Sequence, residues 1–153
     1  VRRIKTTELE KALQSTHPSR MDAFLNEYGS EMKHSPKDFS AYFKGLTKEK
    51  GKTLSEVFIA ADIPESYGYK LISGEKRTRQ KDVILRLCYA AGLNLDEAQR
   101  TLRMYELPAL YARIPRDALL MALFNNRCVS IPDVNEYLTD HGMAALRSCG
   151  SPD

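Results

Sequence analysis

Apolar residues recur along this chain at spacings of three and four, the period of a helix that buries one stripe. In "SPKDFSAYFKGLTKEKG", residues 35–51, Phe39, Tyr42, Phe43 and Leu46 fall at i, i+3, i+4 and i+7. Ser35 is placed to cap this helix, Pro36 suits its first position, Asp38 stands where a capping box puts its acid, and Gly51 supplies the stop. "TLSEVFIAAD" repeats the logic in a shorter helix, with Thr53 and Glu56 as the cap pair and Leu54, Val57, Phe58 and Ala61 as the stripe. A tight "ADIP" connection leads to a third helix that ends at Gly74. "QKDVILRLCYAAG" predicts a fourth, with Val83, Leu87 and Ala90 or Ala91 inward, and "NLDEAQRTLRMYEL" a fifth, with Asn94 and Glu97 in cap positions.

Ahead of these, "TTELEKALQSTH" predicts a helix capped by Thr6 or Thr7. A short helix after Pro18 carries Met21, Phe24, Leu25 and Tyr28 on one stripe and ends near Gly29. The pair reads as an N-terminal helical hairpin, with "SEMKHS" as a linker. No run alternates cleanly enough for a strand, so the fold class is all-α.

Beyond Pro108 the chain repeats itself at a shift of 36 residues: "VILRLCYAAGLNLDEAQRTLRMYELPAL", from Val83, aligns without a gap on "LLMALFNNRCVSIPDVNEYLTDHGMAAL", from Leu119. Ala98 then matches Val134, Leu102 matches Leu138, Leu107 matches Met143 and Leu110 matches Leu146. Two such hairpins are too few for a free solenoid, so the second is expected to dock on the first. The predicted organisation is an N-terminal hairpin and linker over 1–34, a helical domain over 35–107, and a C-terminal hairpin and tail over 108–153 that repeats 83–110. The C-terminal pair reads equally as a surface for a homodimer or other protein partner and as plain stabilisation of a small core, and the N-terminal helices are an alternative homodimer surface.

Apolar residues make up 42% of the 153 and charged residues 28%, the mix of a globular chain. The longest apolar run, "ALLMALF", falls far short of the roughly 18 residues a membrane span requires, and the N-terminus has no apolar segment of a secretory signal. Cys88, Cys128 and Cys149 are odd in number and form no CxxC pair, which fits a reducing, cytoplasmic setting. His17, His34 and His141 are scattered without ligand spacing, and "SGEKR" lacks the first glycine and GK[ST] ending of a phosphate loop. Neither a metal, another cofactor nor an enzymatic constellation is expected. The net charge is only +3, yet from Lys44 to Lys81 there are nine Lys/Arg against five Asp/Glu, leaving fourteen against fifteen elsewhere. The positive field is local.

Two short helices joined by three or four residues are the signature of a helix-turn-helix. Residues from about Leu46 to Asp96, above all "KEKGKTLSEVFIAADIPESYGYKLISGEKR" followed by "LRLCYAAGLNLDE", resemble the lambda-repressor or XRE-type helix-turn-helix family. The five-helix layout over 37–105 fits that family, and with its extra hairpins the chain is similar to regulators common in Firmicutes. The resemblance implies a transcriptional regulator that places its third helix in the major groove of double-stranded DNA. It assigns DNA contact to Thr53, Ser55, Glu65, Ser66, Tyr67, Tyr69 and Lys70, a buried position to Leu71, and the helix-ending glycine to Gly74.

Three positions depart from the family pattern. Leu54 stands where a phosphate-contacting glutamine is common, Gly68 replaces a buried aliphatic, and Glu65 would face phosphates unless it accepts from a cytosine amino group. Lys70, Lys76, Arg77, Arg79 and Lys81 supply cations for phosphates at the end of the third helix and just after it. Tyr67 and Tyr69 point about 200° apart on a helix, so one of them is expected to be structural. The alternative reading is a helix-turn-helix that no longer reads DNA and serves as a protein-interaction module, its basic residues an ordinary solvated face.

Overall fold

The computed structural model describes residues 5–32, 36–126 and 129–149. The Ser35 cap, the side chains of Leu25 and Tyr28, and Cys128 lie outside the described residues. Among those residues all regular structure is helical, in two compact units, Val1–Ser35 and Pro36–Asp153.

The first unit holds α1 (Thr6–Gln14), a 3₁₀ turn (Pro18–Arg20) and α2 (Met21–Met32). Neither Thr6 nor Thr7 caps α1. The cap is Lys5, whose extended backbone lets its carbonyl accept from the N–H groups of Glu8 and Leu9, so the helix starts earlier than expected. His17 begins the turn by accepting the Ser19 N–H on Nδ1, at 3.1 Å. α2 runs through Gly29 and into the stretch expected to be linker. A glycine ends a helix only where the backbone turns left-handed after it, and here it stays helical.

The second unit runs α3 (Pro36–Glu49), α4 (Leu54–Ala61), α5 (Glu65–Ser73), α6 (Lys81–Ala91), α7 (Leu95–Met104), α8 (Pro115–Phe124) and α9 (Ile131–Asp140). Local chemistry places these ends. Thr53 Oγ1 accepts the Glu56 N–H to start α4, without the reciprocal bond of a full box, whereas Asn94 and Glu97 form a complete capping box at α7. α3 packs on α5 and α7, α4 on α5 and α6, and α6 on α7 and α9, while α8 bridges α7 and α9. One apolar core runs through all of them, from Phe39 to Leu146, with Phe43, Phe58, Leu71, Ile84 and Leu138 fully enclosed.

α6 departs from the single inward stripe that its sequence suggested. Every residue from Asp82 to Ala91 is buried, because α4, α7 and α9 cover it on different sides.

The 36-residue shift is present as geometry. α7 and α9 are both ten residues long and begin 36 apart, after the capping residues Asn94 and Ser130. Each ends in a left-handed residue at the same repeat position, Glu106 (φ 61°) and Gly142 (φ 71°). The next N–H reaches back to the matching helix carbonyl in both, Leu107 to Leu102 and Met143 to Leu138. A side-chain amide then holds each returning segment: Gln99 Oε1 accepts the Leu110 N–H at 2.7 Å, and Asn135 Oδ1 accepts the Leu146 N–H at 2.8 Å. With α6 on α7, α7 on α8, α8 on α9 and α9 on α6, the two hairpins close a ring. Tyr89 of α6 and Phe124 of α8 stack across it, with ring centroids 3.8 Å apart and nearly parallel.

Candidate nucleic-acid interface

α4 and α5 are joined by Asp62, Ile63 and Pro64. Asp62 takes the left-handed conformation (φ 56°), and the Ile63 N–H returns to the Phe58 carbonyl, so the chain reverses within three residues. α5 has no side-chain cap, since Pro64 precedes it; Glu65 instead puts a carboxylate in the first turn, where the helix dipole favours a negative charge. Gly74 (φ 85°) ends the helix, and the N–H groups of Gly74 and Lys76 both donate to the Lys70 carbonyl.

Successive residues of α5 are about 100° apart around its axis. Glu65, Tyr69, Ser73, Ser66 and Lys70 therefore follow one another around one arc; the first four are exposed and Lys70 is half-buried. Gly68, Leu71 and Ile72 fill the opposite arc and are buried. Tyr67 lies between the two, half-buried and packed against the core, and is the structural member of the tyrosine pair. Tyr69 stands edge-on to Phe58, with ring centroids 5.0 Å apart, and keeps 45% of its surface exposed. Thr53 is exposed as the cap of α4 and Ser55, its second residue, is half-exposed, while Leu54 packs against the core.

The cations after α5 are not equivalent. Lys76 and Arg79 are exposed, and neither they nor Lys70 pair with a carboxylate among the described residues. Arg77 donates through Nη2 to the Tyr105 carbonyl at 2.7 Å and lies 4.6 Å over the Tyr105 ring. The Thr78 N–H donates to the Tyr105 hydroxyl at 3.3 Å, so this stretch is fastened to the end of α7. Burial pushes the Tyr105 phenol above its ordinary range, an effect eased by the Thr78 bond and the Arg77 cation. Lys81 lies 3.8 Å from Asp117.

Around α6 is a polar network that sequence reasoning missed. Arg86 is buried, and its guanidinium donates to three carbonyls: Ala61 at the end of α4 (3.2 Å), Leu146 (2.8 Å) and Arg147 (2.7 Å). Asp82 receives both Arg116 Nη groups, at 3.1 and 3.0 Å, and the Arg147 N–H at 2.9 Å. Arg116 also donates to the carbonyls of Ala144 and Ala145. The sequence signal was a lone arginine inside the apolar run "VILRLCYAA", which a buried helix tolerates only with acceptors around it.

Cys88 is fully buried and its thiol is pushed up to about 12 by desolvation, which suits a core residue rather than a nucleophile. Among the described residues no group of His, Cys, Asp or Glu is arranged to hold a metal, and no helix is long and apolar enough to cross a membrane. Comparison of the chain with protein-family models, curated proteins and solved structures found no match.

Proposed function

We propose that this protein is a sequence-specific DNA-binding regulator in which α4 and α5 act as a helix-turn-helix and α5 enters the major groove. The observation that carries this reading is the exposed arc of α5. Glu65, Ser66, Tyr69, Lys70 and Ser73 share it, and Lys76 and Arg79, which pair with no carboxylate among the described residues, follow after Gly74. Polar side chains on the arc suit base edges, and cations at its end suit phosphates on either side of a groove. In this reading Glu65, at the N-terminal end, accepts from a cytosine amino group.

The test is selection from random-sequence duplex DNA at two salt concentrations, with a Lys70→Gln/Lys76→Gln variant in parallel. Enrichment of a short site, with affinity that falls steeply in salt and weakens in the variant, is the expected result. A second reading, the protein-interaction module, draws on α4: Ile59 is 77% exposed, and Leu54 packs inward where a phosphate-contacting glutamine would be expected. Recovery of one stoichiometric protein partner, with no enriched DNA site, would favour it.

A further inference from the structure

Three segments far apart in sequence meet at the N-terminal end of α6 and enclose a groove of about 570 Å³. Arg79 comes from the stretch after α5, Lys81 from the first position of α6, Arg116 from the start of α8, and Arg147 from the strap that follows α9. Ala144 and Ala145 also line the groove, and small side chains there leave it open. Four cations thus gather against two carboxylates, Asp82 in the groove and Asp117 beside Lys81. Like charges gathered in this way repel one another unless an anion joins them.

These cations divide by what they already hold. Arg116 is committed to Asp82 and to the carbonyls of Ala144 and Ala145, and Lys81 faces Asp117. Arg116 is therefore a positioning residue that fixes the strap against α6. The strap's own bonds at position 147 are made by the main chain: the N–H donates to Asp82 and the carbonyl accepts from Arg86. The Arg147 and Arg79 side chains have no carboxylate or carbonyl partner among the described residues, and both residues are exposed.

We infer that this groove seats backbone phosphates of the same duplex whose major groove α5 reads, with Arg147 and Arg79 as the phosphate contacts. The inference rests on the DNA-binding reading above. Arg79 belongs both to the groove and to the basic stretch after α5, so a single backbone path can meet both. The C-terminal repeat then enlarges the DNA footprint by delivering a cation from outside the helix-turn-helix.

The experiment measures affinity of the full chain for a duplex of unselected sequence across about 50 to 200 mM salt. Wild type is compared with Arg147→Gln, Arg79→Gln, Arg147→Lys and the Lys70→Gln/Lys76→Gln control, each first checked for an unchanged thermal midpoint. Arg147→Gln and Arg79→Gln should each weaken binding to all sequences alike and lower the slope of log K against log salt by about one, and Arg147→Lys should keep the wild-type slope. If the Lys70/Lys76 control lowers the slope while Arg147→Gln leaves it unchanged, the groove does not meet DNA, although α5 does. If wild type shows no salt-dependent binding to duplex DNA, the regulator reading and this inference fail together.

Discussion

The ring of Phe58 occupies the place that a side chain at position 68 would take: a Cβ built on Gly68 would come within 2.6 Å of Phe58 Cδ1. Phe58 is fully buried beneath α5 and meets Tyr69 edge-on, so the ring has nowhere to retreat. The missing aliphatic at 68 is thus replaced by an aromatic from α4, and the two helices approach across a glycine. Gly68→Ala should destabilise the protein by about 1–3 kcal/mol through overpacking, although alanine in an open helix would gain about 1 kcal/mol. Urea denaturation checks this, and the loss should shrink in a Phe58→Leu background, since the two residues are in direct contact. A stabilised Gly68→Ala protein would contradict the packing.

Arg77 and Lys76 are neighbours with different tasks. Arg77→Ala removes a hydrogen bond to the Tyr105 carbonyl and a cation over its ring, and should lower stability by on the order of 1 kcal/mol. Lys76→Ala should leave the melting temperature unchanged and reduce DNA affinity. Thermal melting and DNA titration of the two single variants separate the roles; equal stability would show that the Arg77 fastening carries no weight.

The two amide clamps should respond in proportion to their bonds. Gln99 both donates to and accepts from Leu110, whereas Asn135 accepts only the Leu146 N–H. Gln99→Ala should cost about 1–3 kcal/mol, and Asn135→Ala less. Amide hydrogen exchange supplies the local readout: the Leu110 N–H should speed up in the first variant and the Leu146 N–H in the second.

Alkaline pH should lower the protein's stability in a predictable window. Cys88 has an ordinary value of 9.0 and is pushed up to about 12 by burial. Below pH 9 its thiol is protonated in both folded and unfolded chains, so it contributes no slope. Between 9 and 12 the unfolded chain has released a proton that the native state still binds, and stability falls as pH rises, by at most about 1.4 kcal/mol per unit for this one group. Tyr89, Tyr105 and Cys149 are shifted upward as well, each chiefly by burial, and add to the same trend. Chemical denaturation from pH 7 to 11 should show a flat region and then a decline, shallower in Cys88→Ala.

What the sequence by itself determined is what neighbours within one or two turns decide. The helical period set the all-α character, and the cap residues Thr53 and Asn94 and the stops at Gly51 and Gly74 set four of the helix ends in the second unit. These are interactions between residues three to five apart, so they can be read from a string. The 36-residue repeat was legible for a similar reason, because equal apolar positions imply equal burial. Even so, the matching clamps of Gln99 and Asn135 had no sign in the pattern.

Only the tertiary structure decided which polar residues are free to act. Arg77 and Lys81 read the same as Lys76 and Arg79, yet one is fastened to Tyr105 and the other faces Asp117, partners remote in the chain. The roles of Asp82 and Arg86 exist only once the strap, 60 to 65 residues later, returns to them. The same holds for Gly68, whose meaning depends on where the Phe58 ring comes to rest. A side chain's availability is set by what folds against it, and that contact exists only once distant segments have met.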